Sequence, residues 1–188
     1  MIYSIHPDYM NYQLFNISGK NARKALGQGT LFHMSSEPTP YKDQWSTLEI
    51  DLYSHSGKAI PTPDITQKQG RLFLSEKACK ALSPLIASSG ELLPVSYIDE
   101  KGNKGTGWLF NCLTVSDHAL NSGRCLKNEW GDITWLEFTE EKLEGQPLFR
   151  TEFDDYLSLF CSESFVEACK QAGLSGVIFS ENLAPEPA

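Results

Sequence analysis

Two stretches far apart in the chain spell the same junction, and this repetition narrows the folds open to the sequence more than any other feature. Leu72-Phe-Leu-Ser-Glu-Lys-Ala-Cys-Lys80 aligns with Leu159-Phe-Cys-Ser-Glu-Ser-Phe-Val-Glu167. In each, a short apolar strand runs into Ser-Glu and then into a helical pattern. Ser75 and Ser162 are placed to be N-caps, and Glu76 and Glu163 put negative charge at the positive end of each helix dipole. The pairs Leu74/Cys79 and Cys161/Val166 have the spacing of a hydrophobic staple. The second helix is predicted to stop at Gly173 before a strand at Val177-Ile-Phe179. The first is predicted to break at Ser83-Pro84 and restart with Pro84 in its first turn. Two copies do not make a solenoid, so they read as equivalent strand–helix units in one fold.

The rest of the chain is mainly strand. In Thr47-Leu-Glu-Ile-Asp-Leu-Tyr53, Leu48, Ile50 and Leu52 share one face and Glu49 and Asp51 the other, the pattern of a half-buried strand as antiparallel sheets use it. Glu91–Ile98 and Gly107–Val115 flank the turn Lys101-Gly-Asn-Lys-Gly105 and are expected to form a hairpin, with the run around Trp108–Val115 as a central strand. Ile133–Phe138 is a further strand. Strands outnumber helices and no sustained βαβ alternation is present, which predicts an α+β fold with a largely antiparallel sheet and a few short helices. A length of 188 residues suits one domain over 1–188. Within it the reading separates a strand-rich part at 1–56, a region at 57–180 and a frayed tail at 181–188.

The charge is distributed unevenly. The chain has 16 Lys+Arg against 24 Asp+Glu, a net charge of −8. Residues 129–167 hold eleven acids and only Lys142 and Arg150 as bases, so this window carries −9 and the remainder is near neutral. An acidic balance excludes a nucleic-acid binder, because phosphate contact needs clustered Lys and Arg. The window reads either as a solvated face or as a docking surface for a basic partner.

No apolar run is long enough to span a bilayer. The opening Met1–Asp8 has no basic segment followed by an apolar one, so no secretory leader is expected. The five cysteines form no C-x-x-C pair, which counts against a zinc or redox site. A reduced, cytoplasmic protein without cofactor or metal is the expectation. The four histidines are isolated from one another and show no metal-hydrolase spacing. Cys112 with Asp117 and His118 supplies the residue types of a nucleophile and base, but five or six residues along a strand and turn do not bring such side chains together. Adjacent acids such as Asp154 and Asp155 point apart in extended chain. Trp45, in a polar stretch, and Trp130, beside Gly131-Asp132, are the aromatics expected at the surface.

The order of several short segments resembles a family of bacterial immunity proteins from polymorphic-toxin systems, described from a myxobacterial prototype and built on a domain of unknown function. The matching pieces are Gly57-Lys58, Pro63-Asp64-Ile65, Gly70–Ala78, Glu91-Leu-Leu-Pro94, Trp108–Cys112, Val115-Ser-Asp117, Leu148-Phe-Arg150 and Ser162–Phe179. The resemblance implies a non-enzymatic antidote that binds and neutralises a toxin made by the same cell, and it transfers no catalytic residue. On that basis Glu140, Glu141, Glu144, Glu152, Asp154 and Asp155 are expected to dock a toxin with a basic cleft, with Trp45 or Trp130 as an aromatic anchor. The alternatives are an adaptor or structural component of a secretion system and a small hydrolase using Cys112 and His118.

Overall fold

The alternation in the sequence is realised mostly as paired strands. A computed structural model describes residues 1–184. The first part of the chain forms β1 (Ile2–Pro7), β2 (Leu14–Asn16), α1 (Gly19–Leu26), β3 (Leu48–Tyr53), β4 (Ile65–Lys68), β5 (Arg71–Leu74) and α2 (Glu76–Ile86). The hairpin β6 (Gly90–Asp99) and β7 (Lys104–Cys112) follows, then the short strands β8 (Leu126–Lys127), β9 (Ile133–Trp135) and β10 (Leu148–Phe149). The described chain ends with β11 (Phe160–Ser162), α3 (Glu163–Gln171) and β12 (Val177–Ser180). Three sheets result: six strands in the order β2-β3-β6-β7-β5-β4, four in the order β10-β11-β1-β12, and the ribbon β8-β9.

The protein is α+β and mostly antiparallel, as expected. The exception is β3, which lies antiparallel to β2 but parallel to β6. A parallel pair needs a long crossover, and β4, β5 and α2 supply it. β7 is a central strand between β6 and β5. Because side chains alternate, Leu72, Leu74, Phe110 and Cys112 face one core with α2 and α3, while Phe73, Leu93, Val95 and Leu109 face a second with α1. A third core gathers Phe138, Leu143, Phe149 and Phe160 beneath the ribbon side of the small sheet.

The two similar units are β5–α2 and β11–α3. They sit in different sheets, and Ala78, Leu82 and Ile86 of α2 share one core with Phe165, Val166 and Cys169 of α3. Ser75 caps α2 by accepting from the Ala78 N–H at 3.2 Å. Ser162 does not cap α3 in that way, because its hydroxyl bonds the Ser164 hydroxyl at 2.7 Å. α2 also does not break at Pro84 but runs through it to Ile86. The proline removes one bond to the Lys80 carbonyl, yet Leu82 and Ile86 are both fully buried and hold the helix on course.

Two further differences concern the ends of the chain. α1 lies within the stretch 1–56 read as strand-rich: its apolar face is only Ala22, Ala25 and Leu26, less than two turns among polar neighbours. Ser18 caps it by accepting from the Asn21 N–H at 3.1 Å. At residues 181–184 the Asn182 carbonyl accepts from the Ser4 hydroxyl at 2.9 Å and Ala184 is buried. The rest of the predicted tail lies outside the described residues. No helix among the described residues is long and apolar enough to cross a membrane.

Candidate partner-binding surface

The surface in question stands on a buried polar row. Register aligns Glu91 of β6, Asn111 of β7 and Arg71 of β5 side by side. All three are buried on the α1 face of the sheet. Asn111 donates to Glu91 Oε1 at 2.9 Å and to the Thr39 carbonyl at 2.9 Å. Arg150, directly after β10, is fully buried and donates from Nη2 to Asn111 Oδ1 at 2.8 Å.

The segment 31–45 closes over this row. Glu91 accepts from the N–H groups of Tyr41 and Lys42 at 2.6 and 3.0 Å. Arg71 donates to the Ser35 carbonyl and Arg150 to the Ser36 carbonyl. Phe32 lies 4.2 Å from the Arg71 guanidinium, ring face toward the charge. Burial, reinforced by the neighbouring Arg150 charge, pushes Arg71 down to about 9, and burial also lowers Arg150. At about 9, Arg71 still carries its charge at neutral pH. Nε and Nη1 of Arg71 and Nε of Arg150 have no hydrogen-bond partner among the described residues. Two buried cations and one carboxylate are costly unless every contact holds, so the strap and the sheet are tied tightly.

Above Arg150 the chain makes a strained turn. Asp155 and Tyr156 both adopt left-handed conformations, with φ of 56° and 60°. Such backbone persists only where neighbours over-determine it. Here the Thr151 hydroxyl and the Glu152 N–H donate to Asp117 Oδ1, Ser158 N–H donates to Asp154 Oδ2 at 2.9 Å, and Ser36 Oγ donates to the Asp155 carbonyl at 2.6 Å. Gly70 comes close beneath: its N–H donates to the Leu157 carbonyl at 2.9 Å.

This turn gathers acids from three parts of the chain. Burial raises the Tyr156 phenol, and the charges of Glu152, Glu37, Asp117 and Asp155 raise it further. The Thr151 and Glu152 bonds to Asp117 and the Ser36 bond to the Asp155 carbonyl bring residues 36, 117, 152 and 155 together at this turn. Glu37 and Asp117 lie outside the acidic window, and long-range pairing alone brings them in. Counting charge along the chain has no means of finding them. On the other side of Asp117, the His118 ring bonds the Lys142 carbonyl at 3.0 Å, which seats the 3₁₀ turn Glu140–Leu143 beside it. Glu140, Glu141 and Glu144 are exposed on that turn. Glu140 pairs with the Met1 ammonium at 2.8 Å, while Glu141, Glu144, Glu152 and Asp155 have no ion-pair partner among the described residues.

Two of the expected docking residues are elsewhere. Asp154 is only 6% exposed and points inward; burial raises its carboxyl, against the pull of the Ser158 bonds, and Oδ1 has no partner among the described residues. It holds the turn from below and presents nothing to a partner. Trp45 is half-buried on the second core, 5.2 Å from the Phe32 ring, and its indole N–H donates to the Pro94 carbonyl at 2.9 Å. Its polar neighbours in sequence are surface residues of the strap, and the indole fills the gap beneath them. Trp130 is the reverse case, 79% exposed at the tip of the β8-β9 ribbon. Cys112 is fully buried in β7, and burial pushes its thiol up to about 11, so it is held protonated. A buried thiol of this kind is inert as a nucleophile. The Asp117 carboxylate is occupied by Thr151 and Glu152.

These features define a class: an α+β protein that carries exposed, unpaired carboxylates on turns braced from within. The chain belongs to the Imm11 immunity protein family, which matches residues 4–183. None of the curated proteins compared with the chain matches it. An immunity role in general follows from that membership.

Proposed function

We propose that this Imm11 protein neutralises a cognate toxin made by the same cell by covering its active site, acting as a non-enzymatic cytoplasmic antidote. The observation that carries the reading is the exposure of Glu152 and Asp155 at the turn braced by Asp117, continued by Glu140, Glu141 and Glu144 across Asp117–His118. Exposed acids without ion-pair partners cost little in the free protein and attract a basic cleft over a distance of about a Debye length, roughly 8–10 Å at physiological salt. Such complementarity raises the encounter rate and suppresses wrong partners. The braced turn adds preorganisation, since a partner need not order Asp155 and Tyr156 on binding. Asp154 and Trp45 have no part in this surface.

Co-expression tests the reading. The toxin encoded beside this gene should arrest growth alone and be tolerated when the protein is present. Rescue should be lost when Glu141, Glu144, Glu152 and Asp155 are all changed to Lys in a protein that still folds. A neighbouring toxin that is tolerated equally well without the protein would contradict it.

A further inference from the structure

The β8-β9 ribbon carries the largest exposed aromatic surface of the molecule, and the acidic face does not account for it. Trp130 is 79% exposed, Leu126 58% and Trp135 53%, and Leu126 and Trp135 are directly opposed across the ribbon. A Trp at a loop tip is ordinarily tucked against its own fold. Here the tip is closed by its own hydrogen bonds. Asn128 Oδ1 accepts from the N–H groups of both Trp130 and Asp132 at 2.9 Å, and Asn128 Nδ2 donates to Asp132 Oδ2 at 2.9 Å. The Asn128 N–H also donates to the Asp132 carbonyl at 2.8 Å, and Gly131 takes a φ of 89° that closes the turn. The backbone that carries the indole is thus hydrogen-bonded in place before a partner arrives.

Its surroundings specify a partner. Glu129 and Asp132 flank Trp130 and have no ion-pair partner among the described residues. At the other end of the ribbon, Trp135 borders a groove of about 380 Å³ whose wall includes Leu136, Leu183 and Glu181. Lys127, the one cation of the ribbon strands, is exposed and lies with Nζ 4.6 Å from the centroid of the Phe153 ring, which joins the ribbon to the Glu152–Asp154 turn. An exposed indole between two carboxylates is a seat for a cationic side chain, because the ring face and both acids attract it. The net charge of −8 disfavours a second copy of this chain and an anionic bilayer alike.

We infer that the β8-β9 ribbon is the affinity-determining anchor for the toxin, with a Lys or Arg of the toxin stacked on Trp130 between Glu129 and Asp132 and an apolar side chain seated against Trp135. The inference rests on the immunity reading above. It divides the labour of the interface: the acidic turns set the rate of encounter, and the ribbon sets how long the complex lasts.

The test measures association and dissociation rates with the toxin domain encoded by the neighbouring gene. Trp130→Ala should raise koff by roughly 30-fold or more, in the range of an aromatic hot spot, while kon changes by less than about threefold. Thermal unfolding of the variant should match that of the wild type, because the indole packs on nothing. The acrylamide quenching that Trp130→Ala removes from the free protein should also disappear from the wild type in the complex. A koff within threefold of wild type, or an indole still quenched in the complex, overturns the anchor. So does a dimer, seen by sedimentation, that Trp130→Ala dissolves. If the wild type itself does not bind the toxin, the immunity reading fails and not the ribbon alone.

Discussion

Nη2 of Arg150 donates to Oδ1 of Asn111 at 2.8 Å, and this bond ties the end of the four-stranded sheet to the middle of the six-stranded one. Asn111 turns its amide nitrogen the other way, to Glu91. One side chain thus separates a buried cation from a buried carboxylate and bonds both. Asn111→Leu, close in volume, leaves Glu91 Oε1 and Arg150 Nη2 each short of a partner in a dry site. The expected cost is about 3 kcal/mol or more, larger than for a neutral hydrogen bond because both partners are charged. Urea denaturation should show a lower midpoint with an unchanged slope.

Gly70 sits where a Cβ would meet the Tyr156 carbonyl at 2.6 Å and Arg150 Nη1 at 2.7 Å, and its φ is 67°. Gly70→Ala should destabilise the protein by about 2 kcal/mol or more, combining left-handed strain with a clash against backbone. Hydrogen exchange should localise the loss to 151–158, and toxin association should slow even though no acid has been changed.

Asp64 joins the two similar units. It accepts from the Ser75 hydroxyl at 2.9 Å, from the Ser175 hydroxyl and N–H at 3.1 and 3.2 Å, and from Lys77 at 3.3 Å. Burial alone would raise its carboxyl, but these bonds outweigh burial and hold it below the ordinary value. A depressed carboxyl stabilises the fold above its unfolded value of about 3.9 and loses that contribution as pH falls through the folded one. Asp64→Asn should therefore cost about 1 kcal/mol at neutral pH, and the gap to wild type should close in unfolding curves taken below about pH 4.

How much of this was legible in the sequence differs between fold and site. The β6-β7 hairpin, the central β7 and the two strand–helix units follow from a Gly-bearing turn, a continuous apolar run and the repeated Ser-Glu junction, which act over a few neighbours. The strap over Arg71 and Arg150 does not, because its hydrogen bonds run from backbone at 35–42 to side chains at 71, 91, 111 and 150. Of the acids named in the window, Glu140, Glu141, Glu144, Glu152 and Asp155 are exposed. Alternation along a tight turn, however, sent Asp154 inward and Asp155 outward, and Glu37 and Asp117 joined from elsewhere. Trp45 and Trp130 both stand in polar sequence; one has a core gap beneath it and the other a hydrogen-bonded ribbon tip.

Cys112 offers a separate check on the antidote reading. Its thiol is buried and protonated, so Cys112→Ala should remove packing only, at a cost of about 1–2 kcal/mol. Protection against the neighbouring toxin in co-expression should be intact. Loss of protection with the fold retained would bring back a cysteine-dependent enzyme.

The central claim is that the acidic face steers the protein onto a basic toxin cleft, and stopped-flow association at two ionic strengths tests it most directly. The rate for the wild type should fall about tenfold or more between low and high salt, as electrostatic steering requires. Changing Glu141, Glu144, Glu152 and Asp155 to Lys should slow association at low salt and flatten that dependence. An association rate indifferent to salt and to those four changes would contradict the account.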